Sequence, residues 1–301
     1  MLDNKPSATA LLLASSLVFV SRDPKFGHLV PPLAAEASAW FVEAGSRRGK
    51  HLLNAVGKKW FRSFGLGIER LTIPGILLHY VLRKRYLEEI VRNHLLEGFH
   101  QIVILGGGFD TLAVRLHQEF PKVQFIEIDH PATQRIKKQV LESRQLCRGN
   151  MTLLPINLVR EKLEKCLLDC REYQLETNTL FLAEGLLMYL KPDEVAAIFR
   201  FIRGRAGRKS HFAFTFMEPQ ADGKVNFRNS SKTVDMWLWW RGEIFQWGLK
   251  REDLASYLKS MNFSLLEVAT PETFRNRYLV NERLEHTTLA DGEYICLAER
   301  M

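Results

Sequence analysis

The sequence predicts an α/β fold, a mostly parallel sheet with helices on both faces and an antiparallel last strand, preceded by a helical N-terminal cap. Three observations predict it. From Gln101 onward, short β-branched or aromatic runs alternate with helical stretches, the pattern of strands joined by crossover helices. Pro131 and Pro192 stand where helices should begin, in a first turn where a missing N–H costs nothing. Asp291-Gly292 reads as a hairpin-like turn before the final apolar run, so that run is expected to reverse direction.

In chain order, the stretch over 1–84 reads as irregular helices, interrupted by Pro31-Pro32 and by Ile73-Pro74-Gly75. Strands follow at 102–105, 123–129, 151–156, 179–183 and 211–217, with a terminal pair at 263–269 and 294–299. Helices are expected between them at 111–119, 131–144, 161–173 and 192–203, and at 251–261 before the terminal pair. This divides the chain into a cap over 1–84 and a sheet domain over 85–301, with residues 217–248 as an inserted substrate or lid segment.

Composition sets the outer bounds. With 301 residues, 46% of them hydrophobic and 25% charged, the chain can bury a full core and is not a disordered type. The longest apolar run, residues 8–20, contains Ser15 and Ser16 and falls short of the roughly 20 residues needed to span a bilayer. Lys5 alone makes a poor signal-peptide start, and Ser21-Arg22-Asp23-Pro24 lacks a small-x-small cleavage pattern. A buried helix, a cytoplasmic protein and no membrane partner are the expectations. Of the cysteines at 147, 166, 170 and 296, Cys166 and Cys170 could share a helix face. No second pair or histidine completes a zinc site, so free thiols and no metal are expected. The net charge of +8 gathers at 47–50, 58–59, 83–85 and 203–209, which suits a solvated basic surface or an acidic partner such as RNA.

The strongest local signal is the run from Ile102 to Leu105 into Gly106-Gly107-Gly108, with a helix starting at Thr111. Glycines let the backbone turn sharply and let a ligand approach where a Cβ would clash, although a bare tight turn reads the same way. The third glycine of a dinucleotide fingerprint would fall at Thr111, and Asp110 beside the loop would repel a diphosphate. A phosphate-free cofactor with a cationic amino-acid tail fits better, which favours S-adenosylmethionine over NAD and leaves an NAD-dependent oxidoreductase as the rival. Asp129 ends the second strand, where a carboxylate can accept ribose hydroxyls; a solvated acid before a helix is the plainer alternative. Glu127 shares its side of the strand but sits further from the carboxyl end. Glu184, beside Gly185 after the fourth strand, is costly to bury unpaired. It suits either a cationic ligand or a basic side chain that grips the ligand's carboxylate.

Three segments in order carry a resemblance: Val103 to Leu112 around the glycines, Glu127-Ile128-Asp129-His130-Pro131, and Ala183 to Leu190 around Glu184 and Tyr189. Together they resemble the leucine carboxyl methyltransferase family, in particular its bacterial branch of O-methyltransferases of polyketide or other secondary metabolism. The likeness runs from about Leu82 to the C-terminus and includes Arg241-Gly242-Glu243, Phe245 and Gly248. It implies a class I methyltransferase sheet of Rossmann-like type. It also implies that Arg83, upstream of the glycine turn, grips the methionine carboxylate, that Gly106 and Gly108 line the methionine part, and that Asp129 holds the ribose. Asn157-Leu158 stands near the adenine where the family has Asp-Leu, and an Asn side chain can still pair with a base edge. Eukaryotic members place a lysine about eleven residues before an Asp-Pro pair. Leu12 stands there if Asp23-Pro24 is that pair, so a protein-phosphatase substrate is not implied. Members acting on tRNA leave an RNA substrate open.

The expected reaction is methyl transfer to oxygen on a small molecule. A carboxylate acceptor, with a pKa near 4, is ionised at neutral pH and needs no general base. His130, the one histidine beside the cofactor motifs, reads as a helix-start residue. The 217–248 segment carries Trp237, Trp239, Trp240, Phe245 and Trp247 with Arg228 and Arg241. It is either a packed amphipathic helix or a lid in which Arg241 or Tyr189 meets the substrate carboxylate.

Overall fold

The computed structural model of the chain describes residues 6–147, 149–158, 160–205, 209–228, 230–231, 233–234, 236, 244–281, 284 and 286–301. Its centre is β1 (Gln101–Leu105), buried at all five positions. Ile102 and Ile104 pack into one hydrophobic cluster and Val103 and Leu105 into another, so both sheet faces are covered, as a strand of continuous apolar residues requires. β2 (Gln124–Asp129) and β3 (Met151–Pro155) add in parallel on one side of β1, and β4 (Thr179–Ala183) and β5 (Ser210–Met217) on the other. β7 (Glu293–Arg300) then pairs antiparallel with β5, and β6 (Phe263–Ala269) antiparallel with β7, giving the order β3-β2-β1-β4-β5-β7-β6. The order reverses beside β1, and in such sheets the crevice beyond the carboxyl ends of the strands at that switch point receives ligands.

The N-terminal helices are α1 (Ala8–Ser21), α2 (Ala34–Gly45), α3 (Gly49–Val56), α4 (Lys59–Thr72) and α5 (Ile76–Leu96). The apolar run expected to be a buried helix is α1. Ser7 caps it, its Oγ accepting from the Ala10 amide at 3.1 Å, and Ser15 and Ser16 return their hydroxyls to the Leu11 and Leu12 carbonyls. The Ile73-Pro74-Gly75 break separates α4 from α5. Gly75 sits at φ +79°, where a Cβ would lie 2.4 Å from the Thr288 carbonyl oxygen, so glycine is required there. α5 runs without interruption through residue 84, and Val81, Leu82 and Tyr86 join the same cluster as Phe41 of α2 and Ile102 of β1.

The crossover helices are α6 (Leu112–Glu119), α7 (Pro131–Ser143), α8 (Leu163–Leu168) and α9 (Pro192–Arg205), followed by α10 (Arg251–Ser260) and α11 (Pro271–Tyr278). Phe199 of α9 anchors the second face, meeting Phe212, Phe214, Tyr257 and Phe263 edge-on with centroids 5.2–5.6 Å away. Two expectations are corrected. The helix predicted over 161–173 spans only 163–168, and beyond it Gln101 of β1 holds the Gln174 backbone, accepting from its N–H at 2.9 Å and donating to its carbonyl at 3.1 Å. The antiparallel β7 does not arise from a tight hairpin, since α11 and residues 279–292 lie between it and β6. The missed signal for α11 is Thr270-Pro271: the Thr270 hydroxyl and Thr273 form a capping box, with Pro271 in the first turn.

Beneath the loop after β1, Lys137 of α7 and Glu127 of β2 form an ion pair at 2.6 Å with neither side chain exposed. Burial pushes the Glu127 carboxyl up to about 7, against the pull of Lys137. Removing one member leaves the other buried without compensation. Lys137→Met is expected to lower the unfolding free energy by roughly 3–5 kcal/mol, and adding Glu127→Leu should recover most of the loss. Denaturant titration of the three proteins checks this; a double variant no more stable than Lys137→Met would contradict it.

Candidate functional site

At the carboxyl ends of β1, β2 and β4 lies a cavity of about 460 Å³. The turn from Gly106 to Gly108 forms part of its wall, with Asp129, Asn157 and Leu158 also lining it, together with Glu184 and Tyr189. Ala10, Leu13, Ala14 and Leu17 of α1 complete an apolar wall. Gly106 and Gly108 are left-handed, at φ +69° and +52°. A Cβ on Gly106 would lie 2.8 Å from Leu186, so a side chain there would collide with the segment that follows β4. Gly107 serves packing, since its Cβ would fall 2.4 Å from Glu127 Cγ.

The turn is tied to β2 by three hydrogen bonds. The Gly106 and Gly107 amides both donate to the Ile128 carbonyl, at 2.8 and 3.1 Å. The Asp129 carboxylate accepts from the Gly108 amide and, through its other oxygen, from the His130 amide at 2.5 Å. Burial raises the Asp129 pKa and these two amides oppose the rise. Each carboxylate oxygen has a further lone pair, and Asp129 borders the cavity.

α5 supplies the cations. Arg83 donates from Nε to Glu184 at 2.9 Å and from Nη1 to both oxygens of Glu293, at 2.7 and 2.6 Å. Glu293, the first residue of β7, also meets His79 Nε2 at 3.0 Å. Lys84 bridges Asp110 at 2.9 Å and Glu184 at 3.1 Å. Burial alone would raise the carboxyl groups of Glu293 and Asp110. The Arg83 guanidinium overcomes that for Glu293 and the Lys84 ammonium for Asp110, and both are held at about 2. Arg83 and Lys84 thus face three carboxylates. Arg83 Nη2 remains buried without a hydrogen-bond partner, beside Gly185, whose absent Cβ would stand 3.6 Å away.

All the sequence-predicted cofactor residues line this one cavity: Arg83, Gly106, Gly108, Asp110, Asp129, Asn157, Leu158 and Glu184, with Tyr189 beside them. Glu184 pairs with two basic side chains, Arg83 and Lys84. Asp110 does not stand alone beside the loop: it pairs with Lys84, which it shares with Glu184. Arg241, with Trp237, Trp239 and Trp240, lies outside the described residues. Arg228 is engaged by Glu218 and by Asp291, and Trp247 is buried against Tyr257, so both are structural. The backbone next to Trp247 does reach the cavity, where the Gln246 amide donates to the Met188 carbonyl at 2.6 Å and Phe245 packs edge-on against Tyr189 at 5.3 Å. His130 caps α7, its Nδ1 accepting from the Ala132 amide at 3.3 Å, which is the helix-start role expected of it. Sequence reasoning misses Lys84, His79, Glu293 and the α1 wall. Among the described residues no cluster of three His, Cys, Asp or Glu could hold a metal, and no helix is long and apolar enough to cross a membrane.

A family model described as leucine carboxyl methyltransferase matches residues 32–203. YktD of Bacillus subtilis, provisionally named an S-adenosyl-L-methionine-dependent methyltransferase, is 25% identical over 202 residues, 67% of this chain and 66% of that protein. Rv0281 of Mycobacterium tuberculosis, with the same provisional name, is 32% identical over 132 residues, 44% of this chain and 43% of the relative. The matches therefore span less than two thirds of these relatives' lengths. Among solved structures, a Thermobifida fusca protein provisionally described as a methyltransferase superposes with a TM-score of 0.56 at 16% identity, over 93% of this chain and 98% of that one. That likeness is one of fold, and it is the class I methyltransferase sheet expected from the sequence.

The charge cluster makes a pH prediction. An acid whose folded pKa is depressed adds stability that is complete above its unfolded value, near 4.5 for Glu293, and is lost as pH falls toward about 2. The gap in melting temperature between the natural protein and Glu293→Gln should be widest at neutral pH and close progressively below pH ~4.5. Calorimetric scans across that range check it, and a gap independent of pH would refute the pairing.

Proposed function

The chain belongs to the leucine carboxyl methyltransferase family, and on that premise we propose that it transfers a methyl group from S-adenosylmethionine to an oxygen of a small molecule. The observation that carries this reading is Arg83 Nη2, a fixed and buried donor with no hydrogen-bond partner, at the edge of a cavity that the Glu184 carboxylate also lines. An amino-acid tail answers both features, with its carboxylate on Nη2 and its ammonium toward Glu184. Asp129 accepts the ribose hydroxyls on lone pairs that the backbone amides leave open. Gly106 and Gly108 permit close approach of the methionine part, and Asn157 and Leu158 flank the adenine. In this reading residues 1–84 cap the cavity, chiefly through α1, and residues 217–248 form the substrate side.

Bound there, the cofactor supplies an electrophilic methyl carbon on a sulfonium. The residues of the chain orient the acceptor and exclude water. Among the described residues, the only histidine that lines the cavity is His130, committed through Nδ1 to capping α7. The acceptor that asks least of such a site is a carboxylate, ionised without help and met by Tyr189 or Arg241.

Calorimetry should show heat with S-adenosylmethionine and S-adenosylhomocysteine and none with NAD; the reverse pattern would establish the oxidoreductase reading. Asp129→Asn should weaken cofactor binding by roughly 1–3 kcal/mol, the scale of a hydrogen bond to a charged group. Unchanged affinity would place the ribose elsewhere. The acceptor is tested on the labelled product, because methyl esters release methanol in mild alkali and methyl ethers do not. Release is expected, and an alkali-stable product would overturn the carboxylate.

A further inference from the structure

Helix α4 wears its apolar stripe outward. Trp60, Phe64, Ile68 and Leu71 recur at spacings of four, four and three, one face of a helix, and are 64%, 60%, 46% and 79% exposed. The side turned to the protein is fixed by other means. Arg62 donates to the Phe19 carbonyl at 2.6 Å and pairs with Asp23 at 2.8 Å, and Glu69 accepts from the Leu77 amide at 3.0 Å. A Cβ on Gly65 would touch Phe19 at 3.0 Å, and Phe61 and Leu66 pack against the core beside it. A surface helix ordinarily buries its apolar stripe, so here the fold leaves that face for something else.

The charge around the stripe says what. Residues 46–71 hold seven Lys or Arg against a single acid, Glu69, so this stretch carries most of the chain's net charge of +8. Six of the seven are exposed: Arg47, Arg48, Lys50, Lys58, Lys59 and Arg70. Lys50 pairs with Glu43 across the surface. A second copy packed stripe to stripe would bring two such basic sets together, which disfavours self-association. Ile68 and Leu71 offer no ring on which a base could stack, which disfavours RNA. A helix with Trp, Phe and Leu on one face and Lys and Arg at its rim suits an anionic lipid surface. The apolar side chains enter the headgroup boundary and the cations meet phosphates.

We propose that α4 is a docking helix that lays Trp60, Phe64, Ile68 and Leu71 into an anionic membrane surface, with Lys58, Lys59 and Arg70 on the lipid phosphates. The inference stands apart from the methyltransferase reading. It has a consequence for the cavity, because α4 packs on α1 and its last residue, Thr72, accepts from the Ser231 amide at 2.9 Å. α1 lines the cavity directly, and Ser231 belongs to the 217–248 segment whose Ile244 and Gln246 line it too. Docking would therefore hold both elements of the cavity wall against the lipid.

The test is co-sedimentation of the full chain with phosphatidylcholine vesicles, with and without phosphatidylglycerol. Binding is expected to the mixed vesicles, to fall with added salt, and to be much weaker on phosphatidylcholine alone. Trp60→Ser with Leu71→Ser should reduce partitioning by about tenfold or more while circular dichroism stays unchanged, since both side chains are exposed. Lys58→Glu with Lys59→Glu should cost about fivefold per charge removed. A natural protein that stays in solution with both vesicle types, or a stripe variant that binds as well as the natural protein, would overturn the proposal. So would a concentration-dependent dimer in sedimentation velocity that the stripe variant abolishes, or a gel shift with bulk tRNA that depends on Trp60 when vesicles do not bind.

Discussion

Arg83 is gripped by two carboxylates whose positions depend on separate parts of the sheet: Glu184 at the end of β4 and Glu293 at the start of β7. Taking a guanidinium out of water costs several kcal/mol even after relaxation, and only well-aimed partners offset that. The planar fork of the side chain then does something a lysine could not. With Nε and Nη1 occupied, Nη2 is left pointing in a direction the other two bonds have fixed. The pairing depends on register. Glu293 faces Met217 across the antiparallel β5–β7 ladder, and a slip of one residue would turn its carboxylate to the opposite face.

The cavity's other anchor is Asp129, which holds the glycine turn through the Gly108 amide while its remaining lone pairs border the cavity. Loop and acid are therefore one unit. The left-handed glycines set the path, a side chain at 106 would crowd Leu186, and the carboxylate fixes the end of the turn to β2. Below it the Glu127–Lys137 pair fills the space under Gly107, so the turn rests on a charge pair as well as on apolar packing.

Much of this is legible in the sequence because it is local. A strand running into three glycines, an acid closing the next strand and an acid after the fourth strand can each be read from a short stretch of chain. Arg83 is found only through family resemblance, since nothing in its helix distinguishes it from Lys84 or Arg85. Its partner Glu293 lies 210 residues away, and Asp291-Gly292 beside it reads as a hairpin whether or not one forms. Lys84 disappears into a basic cluster, so its pairing with Asp110 and Glu184 is invisible. The same habit hides α4. Its cations read as solvated surface, and only the fold shows that four apolar residues among them face outward. Sequence periodicity reports that a helix has an apolar face, but only the packing partners reveal whether that face is covered.

Everything proposed for the cavity turns on whether the orphaned guanidinium nitrogen of Arg83 receives the carboxylate of an amino-acid-tailed cofactor. A crystal structure of the chain with S-adenosylhomocysteine tests it directly. The expected result is that carboxylate within hydrogen-bond distance of Arg83 Nη2, with Arg83 still paired to Glu184 and Glu293. A ligand seated in the same cavity with Nη2 still unpartnered, or with its carboxylate on Lys84, would contradict it.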